Sequence, residues 1–164
     1  LGLSFDLDPC APQGGLPWIP ARRFLSLPDD GLAADWPDGG MIWCNPPYGP
    51  DTKKWLARMG QHGRGIALVF ARTDTAWFHE TAAGADAILF LNARVKFVDR
   101  SGKPPLIFDK KTGKAKESSP GAGSMLVAWG CSAARALRRM AEHRGLFLDL
   151  ALGRNDIFIK ELVG

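Results

Sequence analysis

MIWCNPPYG, residues 41–49, is the stretch on which the fold turns. Met41 to Cys44 are apolar throughout and read as a buried strand. Asn45-Pro46-Pro47-Tyr48 ends that strand abruptly, because proline has no N–H to give to a sheet ladder. The period then changes. In KKWLARMGQ, residues 53–61, Trp55, Leu56 and Met59 fall on one side of a helix. GIALVF at 65–70 is again apolar at every position, as in a parallel strand covered on both faces. Strand, helix, strand argues for an α/β fold with a mostly parallel sheet, where ligands gather at the carboxyl ends of the strands. Asn45 to Tyr48 stand at such an end.

On the N-terminal side, LSFDL at 3–7 reads as a short strand running into Asp8-Pro9. Asp6 and Asp8 lie two apart and share a face if the chain stays extended. Residues 9–39 are dense in Pro, Gly and Asp, so loops are expected, with at most one short piece around Arg22 to Leu27. On the C-terminal side, Thr75 to Ala83 predicts a helix with Asp74 as its cap. Ala87 to Leu91 and Ser124 to Trp129 predict strands. Ser132 to His143 predicts a helix capped by Ser132. Residues 99–123 interrupt the pattern: Lys103, Lys110, Lys111, Lys114 and Lys116 stand among Gly, Pro and Ser, as in a long basic hairpin or loop. Leu146 to Leu150 and Ile157 to Val163 are apolar enough to pack, with their type open.

At 164 residues the chain suits one domain over 1–164, with 99–123 as a candidate insertion. The 46% hydrophobic and 23% charged composition excludes a disordered chain, a collagen and a coiled coil. No apolar run approaches the ~20 residues of a membrane span, and no signal-peptide layout opens the chain. A net charge of +4 permits a polyanionic partner without demanding one. Cys10, Cys44 and Cys131 are odd in number and widely spaced, so neither a disulfide framework nor a cysteine metal site is indicated, and a reducing cytosol is expected.

The chemistry suggested by Asn45 to Tyr48 is transfer to an exocyclic amine. The lone pair of such a nitrogen is delocalised into its ring, which makes it a poor nucleophile. Two acceptors aimed at its N–H bonds favour the pyramidal form that attacks carbon. The Asn45 side-chain oxygen is one acceptor. The Pro46 carbonyl, its direction fixed by the proline ring, is the other. Tyr48 offers a flat face for a base, worth roughly 1–3 kcal/mol. No titrating base is required, since preorganised dipoles act where charge develops. Asn and Pro are also common turn formers; the position after an apolar strand favours an active site. Arg72, after the strand at 65–70, suits a phosphate or the organisation of the Asn45 loop. His79 reads as a surface residue, and Trp55 and Trp77 as core or cleft wall.

With these residues in view, the chain resembles the phage and prophage DNA N-6-adenine methyltransferases, the Dam-like group. The resemblance is carried by FDLDPCA at 5–11, WCNPPYG at 43–49, FARTDTAWFHE at 70–80, RVKF at 94–97 and SMLVAWG at 124–130. It implies a Rossmann-like methyltransferase fold with S-adenosylmethionine as cofactor, a sheet ending in an antiparallel hairpin strand, and double-stranded DNA as partner. It also implies a bacterial host cytoplasm. The oligomeric state stays open, a monomer being favoured.

By position, Asn45, Pro46, Pro47 and Tyr48 match the catalytic motif, and Asp8 and Pro9 the cofactor-holding end of the first strand, with Asp6 a further candidate. Asp35 resembles the carboxylate that meets the cofactor's adenine. Phe97 resembles the aromatic on the opposite face of an extruded base, core packing being its plainer reading. The basic stretch, Lys103, Lys110, Lys111 and Lys114 included, would contact the DNA backbone or form a solvated turn. The chain departs from the family in the segment PCAPQGG at 9–15, which lacks the usual glycine-rich pattern, and in the short Asp8–Asp35 spacing. Asn-Pro-Pro-Tyr also occurs in amino-methyltransferases acting on RNA or protein. Those, and a nucleic-acid-binding protein without catalysis, are the alternatives.

Overall fold

The structure, a computed structural model, describes residues 2–99, 101–104, 106–108, 112–117 and 120–151. Its strands are β1 (Phe5–Asp8), β2 (Ala21–Phe24), β3 (Ile42–Cys44), β4 (Gly65–Phe70), β5 (Ala87–Leu91), β6 (Leu106–Phe108), β7 (Ala115–Glu117), β8 (Ser124–Trp129) and β9 (Gly145–Asp149). Three helices complete it: α1 (Thr52–His62), α2 (Ala76–Gly84) and α3 (Cys131–Arg144). Seven strands form one sheet in the order β2-β1-β3-β4-β8-β5-β9, and β6-β7 form a separate hairpin within the basic stretch. β2, β1, β3 and β4 pair in parallel, while β8 is antiparallel to both β4 and β5, and β9 is antiparallel to β5. The carboxyl ends of β1 to β5 therefore share one edge.

The sheet ends in a reversed strand, as expected, but that strand is β9 rather than one within 87–129, and a second reversed strand, β8, sits inside the sheet. Burial explains the difference. All six residues of β8 are buried, so the strand needs a partner on each side. The edge goes to β9, whose exposure alternates, with Leu146 and Leu148 outward. Alternation within the central strands separates two cores. Ile42, Cys44, Ala67, Val69, Met125 and Val127 pack with Trp55, Leu56 and Met59 of α1. Trp43, Ile66, Leu68, Leu126 and Ala128 pack with Ala133 and Leu137 of α3. The sheet thus has helices on both faces.

Helix starts differ from their expected caps. Thr75, not Asp74, precedes α2, its hydroxyl donating to the Arg72 carbonyl at 2.6 Å. Gly130, not Ser132, precedes α3, its N–H donating to Asp86 Oδ2 at 2.6 Å. The piece expected near Arg22 is β2, at the far edge. β1 reaches β2 through residues 9–20 without a helix. Lys110, Lys111 and the run Ile157 to Val163 lie outside the described residues.

Candidate active site

The turn after β3 is held by one buried hydroxyl. Thr52 Oγ1, at the first position of α1, donates to the Pro47 carbonyl at 3.0 Å and accepts the Gly49 N–H at 3.1 Å. This pair of bonds fixes the peptide planes between Asn45 and the helix. The Pro46 carbonyl takes no hydrogen bond among the described residues and is left as a free acceptor. Thr52→Val keeps the shape and removes both bonds, so we expect a loss of about 1–3 kcal/mol in urea unfolding, with Thr52→Ser retaining most of the stability.

Asn45 is half-buried at the rim, and its Oδ1 lies 3.4 Å from the Tyr48 hydroxyl that points at it. Burial, then the neighbouring Cys10 and Cys44 thiols, pushes the Tyr48 phenol well above its ordinary range, so it keeps its proton as a donor. One face of the Tyr48 ring stacks on Phe70, centroids 4.0 Å apart at 15°. Phe97 meets Tyr48 edge-on at 5.7 Å and Phe70 at 6.2 Å. These distances place Phe97 beside the stack rather than over the outer face of Tyr48. The expected sandwich between Tyr48 and Phe97 is therefore absent: a base sandwiched by two rings needs them parallel and opposed, and here they are close to perpendicular. The open platform is the outer face of Tyr48, a residue 39% exposed.

That platform opens onto a cavity of about 900 Å³ over the ends of β1, β2 and β3. Asn45, Pro46, Pro47 and Tyr48 line one side, Pro9 and Cys10 another, and Leu25 to Gly31 with Trp55 the far wall. The far wall is brought in by backbone pairing beyond the strands, Leu25 N–H to the Asp8 carbonyl at 2.8 Å and Ala11 N–H to the Leu25 carbonyl at 2.9 Å. Gly31 closes against β1 so tightly that a Cβ would lie 1.8 Å from the Pro9 carbonyl oxygen, which only glycine permits. Arg58 of α1 anchors the same segment, donating to the Ala34 carbonyl at 2.6 Å and lying 4.6 Å over the Trp36 ring.

Asp8 is buried at the end of β1 and faces a smaller, adjoining cavity of about 290 Å³, also lined by Gly14, Gly15 and Phe24. It accepts the Cys10 N–H at 3.2 Å and has no cationic partner among the described residues. Burial pushes its pKa from 3.8 up to about 6. A native state that holds this proton more tightly is most stable below the unfolded value of 3.8 and loses stability as pH rises to about 6. The loss attributable to this group is about 3 kcal/mol. Comparing Asp8→Asn with the parent by urea unfolding across that window should show the slope reduced in the variant. Identical slopes would remove Asp8 as their source.

The structure does not bring Asp6 and Asp35 to either cavity. Asp6 is spent on architecture: its Oδ2 accepts the Met41 N–H at 2.8 Å and its Oδ1 faces Arg22 at 3.6 Å. Asp35 is exposed, between the Ala34 and Trp36 that Arg58 contacts, and its carbonyl accepts from Arg23 at 2.7 Å. Arg72 is exposed beyond the end of β4, outside the lining. Lys103 and Lys114 are exposed within the basic stretch. Sequence reading passed over Phe70, Thr52 and the wall at Leu25 to Gly31. Phe70 reads as one more apolar strand residue, and only its place at the strand end distinguishes it.

The family profile described as DNA N-6-adenine-methyltransferase (Dam) matches residues 2–140. A DNA N-6-adenine-methyltransferase of Escherichia phage T1 is 30% identical over 125 residues, covering 71% of this chain and 51% of the relative. The chain thus spans about half the length of the curated relative it matches. No solved structure matches it.

Proposed function

The chain belongs to the DNA N-6-adenine-methyltransferase (Dam) family, and from that premise we propose that it transfers a methyl group from S-adenosylmethionine to the exocyclic amino nitrogen of adenine in double-stranded DNA. The observation that carries this reading is the arrangement at the rim. Asn45, with its Oδ1 3.4 Å from the Tyr48 hydroxyl, and Pro46, whose carbonyl carries no hydrogen bond among the described residues, line a cavity together with Tyr48. A planar amine stacked on Tyr48 presents its N–H bonds to both. Accepting them draws the nitrogen toward the pyramidal form and stabilises the positive charge that develops as the new N–C bond forms. Neither acceptor keeps the proton, which passes to water after transfer.

The cavity suits the cofactor. Its roughly 900 Å³ lies in the range of small-molecule sites, and Leu25, Leu27 and Trp55 offer apolar cover for a nucleoside. Nearby, Asp8 is a buried carboxylate without a counter-charge, the partner a cationic ligand needs. When bound, S-adenosylmethionine supplies a methyl carbon activated by its positive sulfur. Asp8 and Pro9 would hold it from the β1 side, and Asn45 and Pro46 would position the amine that receives the methyl group. The sheet, with a reversed strand next to β4, is read as Rossmann-like. The adenine leaves the duplex to reach the rim, with Phe97 along its edge. Exposed Lys103, Lys114 and Arg72 meet backbone phosphates, as do Lys110 and Lys111. A monomer is the acting unit in this reading.

The test is methyl transfer from labelled S-adenosylmethionine to a panel of duplex DNA, RNA and protein, with the modified nucleoside mapped by mass spectrometry. Label in duplex DNA as N6-methyladenine is the expected result. Label confined to RNA or protein, or no transfer to any of them, overturns it.

A further inference from the structure

Cys10 and Cys44 are 34 positions apart in the sequence, yet their Sγ atoms are 3.7 Å apart. Both are free thiols. Cys44 is the last residue of β3, fully buried, and is joined directly to Asn45. Cys10 lies in the connection after β1, half-buried, and lines the large cavity. A solute in that cavity can reach Cys10 but not Cys44. The cavity exposes Cys10, which is therefore the first to react, and Cys44 lies buried behind it as the resolving thiol.

We propose that Cys10 and Cys44 form a thiol–disulfide site in the cavity wall, taking a low-molecular-weight disulfide of the glutathione class as oxidant and locking the end of β3 to the connection after β1. The Cys10 sulfur attacks the small disulfide, forming a mixed disulfide and expelling one thiol. The Cys44 sulfur then attacks the Cys10 sulfur, forming the internal bond and expelling the second thiol. Two electrons pass from the protein to the small disulfide, and the two cysteine protons end on the two thiols released. A disulfide requires the sulfurs to close from 3.7 Å to about 2.0 Å. Since Asn45 follows Cys44 without an intervening residue, the closure displaces the catalytic acceptor.

The activity consequence rests on the proposed function; the bond itself does not. The full chain carrying Cys131→Ser, which removes the exposed third thiol, is incubated with oxidised glutathione, alkylated and mapped as peptides. The expected result is a Cys10–Cys44 linked peptide without a glutathione adduct. Methyl transfer should fall about a hundredfold, as for a misplacement near 1 Å, and return with dithiothreitol. The further substitution Cys10→Ser should abolish the linked peptide. Two thiols that stay alkylatable, or a Cys10 that stops at the glutathione adduct, overturn the site. A linked peptide with transfer unchanged overturns the lock. Protein that forms the bond but never methylates in its reduced state rejects the proposed function and leaves the disulfide site standing.

Discussion

Asn45→Ala is expected to lower single-turnover methyl transfer by about two to three orders of magnitude, or about 3–4 kcal/mol of transition-state stabilisation. The substitution removes one of two acceptors and touches little else. Asn45 is half-buried, and its only side-chain contact among the described hydrogen bonds is the 3.4 Å approach of the Tyr48 hydroxyl. That bond is long, so its loss costs the fold little, and urea unfolding should change by less than about 1 kcal/mol. The side of the cavity proposed for the cofactor, formed by Pro9 and the Leu25 to Gly31 wall, is untouched. Calorimetric affinity for S-adenosylmethionine should therefore stay within a few-fold of the parent. Intact transfer in the variant would eliminate the acceptor role. Lost transfer together with lost cofactor affinity would assign Asn45 to the cofactor instead.

Tyr48→Ala removes the platform. Base stacking on an aromatic ring is worth about 1–3 kcal/mol, so transfer efficiency should fall roughly ten- to a hundredfold. The split between parameters is informative. A stacking surface acts on the bound base before chemistry, so the change should fall mainly on KM for DNA. The phenol oxygen has a separate role, because its proton stays in place and points at Asn45 Oδ1. Tyr48→Phe keeps the ring and its stack on Phe70 and drops only this long hydrogen bond. It should retain KM and lose a few-fold in kcat. Equal losses in Phe and Ala variants would shift the importance of Tyr48 from its face to its hydroxyl.

The central strands were legible because their burial on both faces leaves no alternation to misread: GIALVF, AILFL and SMLVAW all occupy strands with the expected bounds. The place of SMLVAW between its neighbours was not, since apolar character states that a strand is enclosed and not by which partners. Asn45 to Tyr48 were legible because proline stops a ladder wherever it falls. The side proposed for the cofactor was not. A carboxylate at the end of a strand has the same letter whether it faces a cavity, like Asp8, or ties two strands together, like Asp6. The family resemblance pointed to Asp35, but Asp35 is exposed and lines neither cavity, and the Arg58–Trp36 contact that pins its segment has no periodic trace. The Cys10–Cys44 approach likewise depends on the parallel crossover that sets β1 next to β3.

The path from β1 to β2 has a kinetic corollary. A helix there would have come with its own ladder of bonded amides, rigid before any ligand arrived. Residues 9–20 instead rely on short-range turns such as Gly15 N–H to the Pro12 carbonyl and Ile19 N–H to the Leu16 carbonyl. Any further ordering that an occupant of the pocket imposes on these turns costs entropy, which is subtracted from its affinity. Under the proposed function, cofactor and spent product bear the same subtraction, which shortens the residence of both.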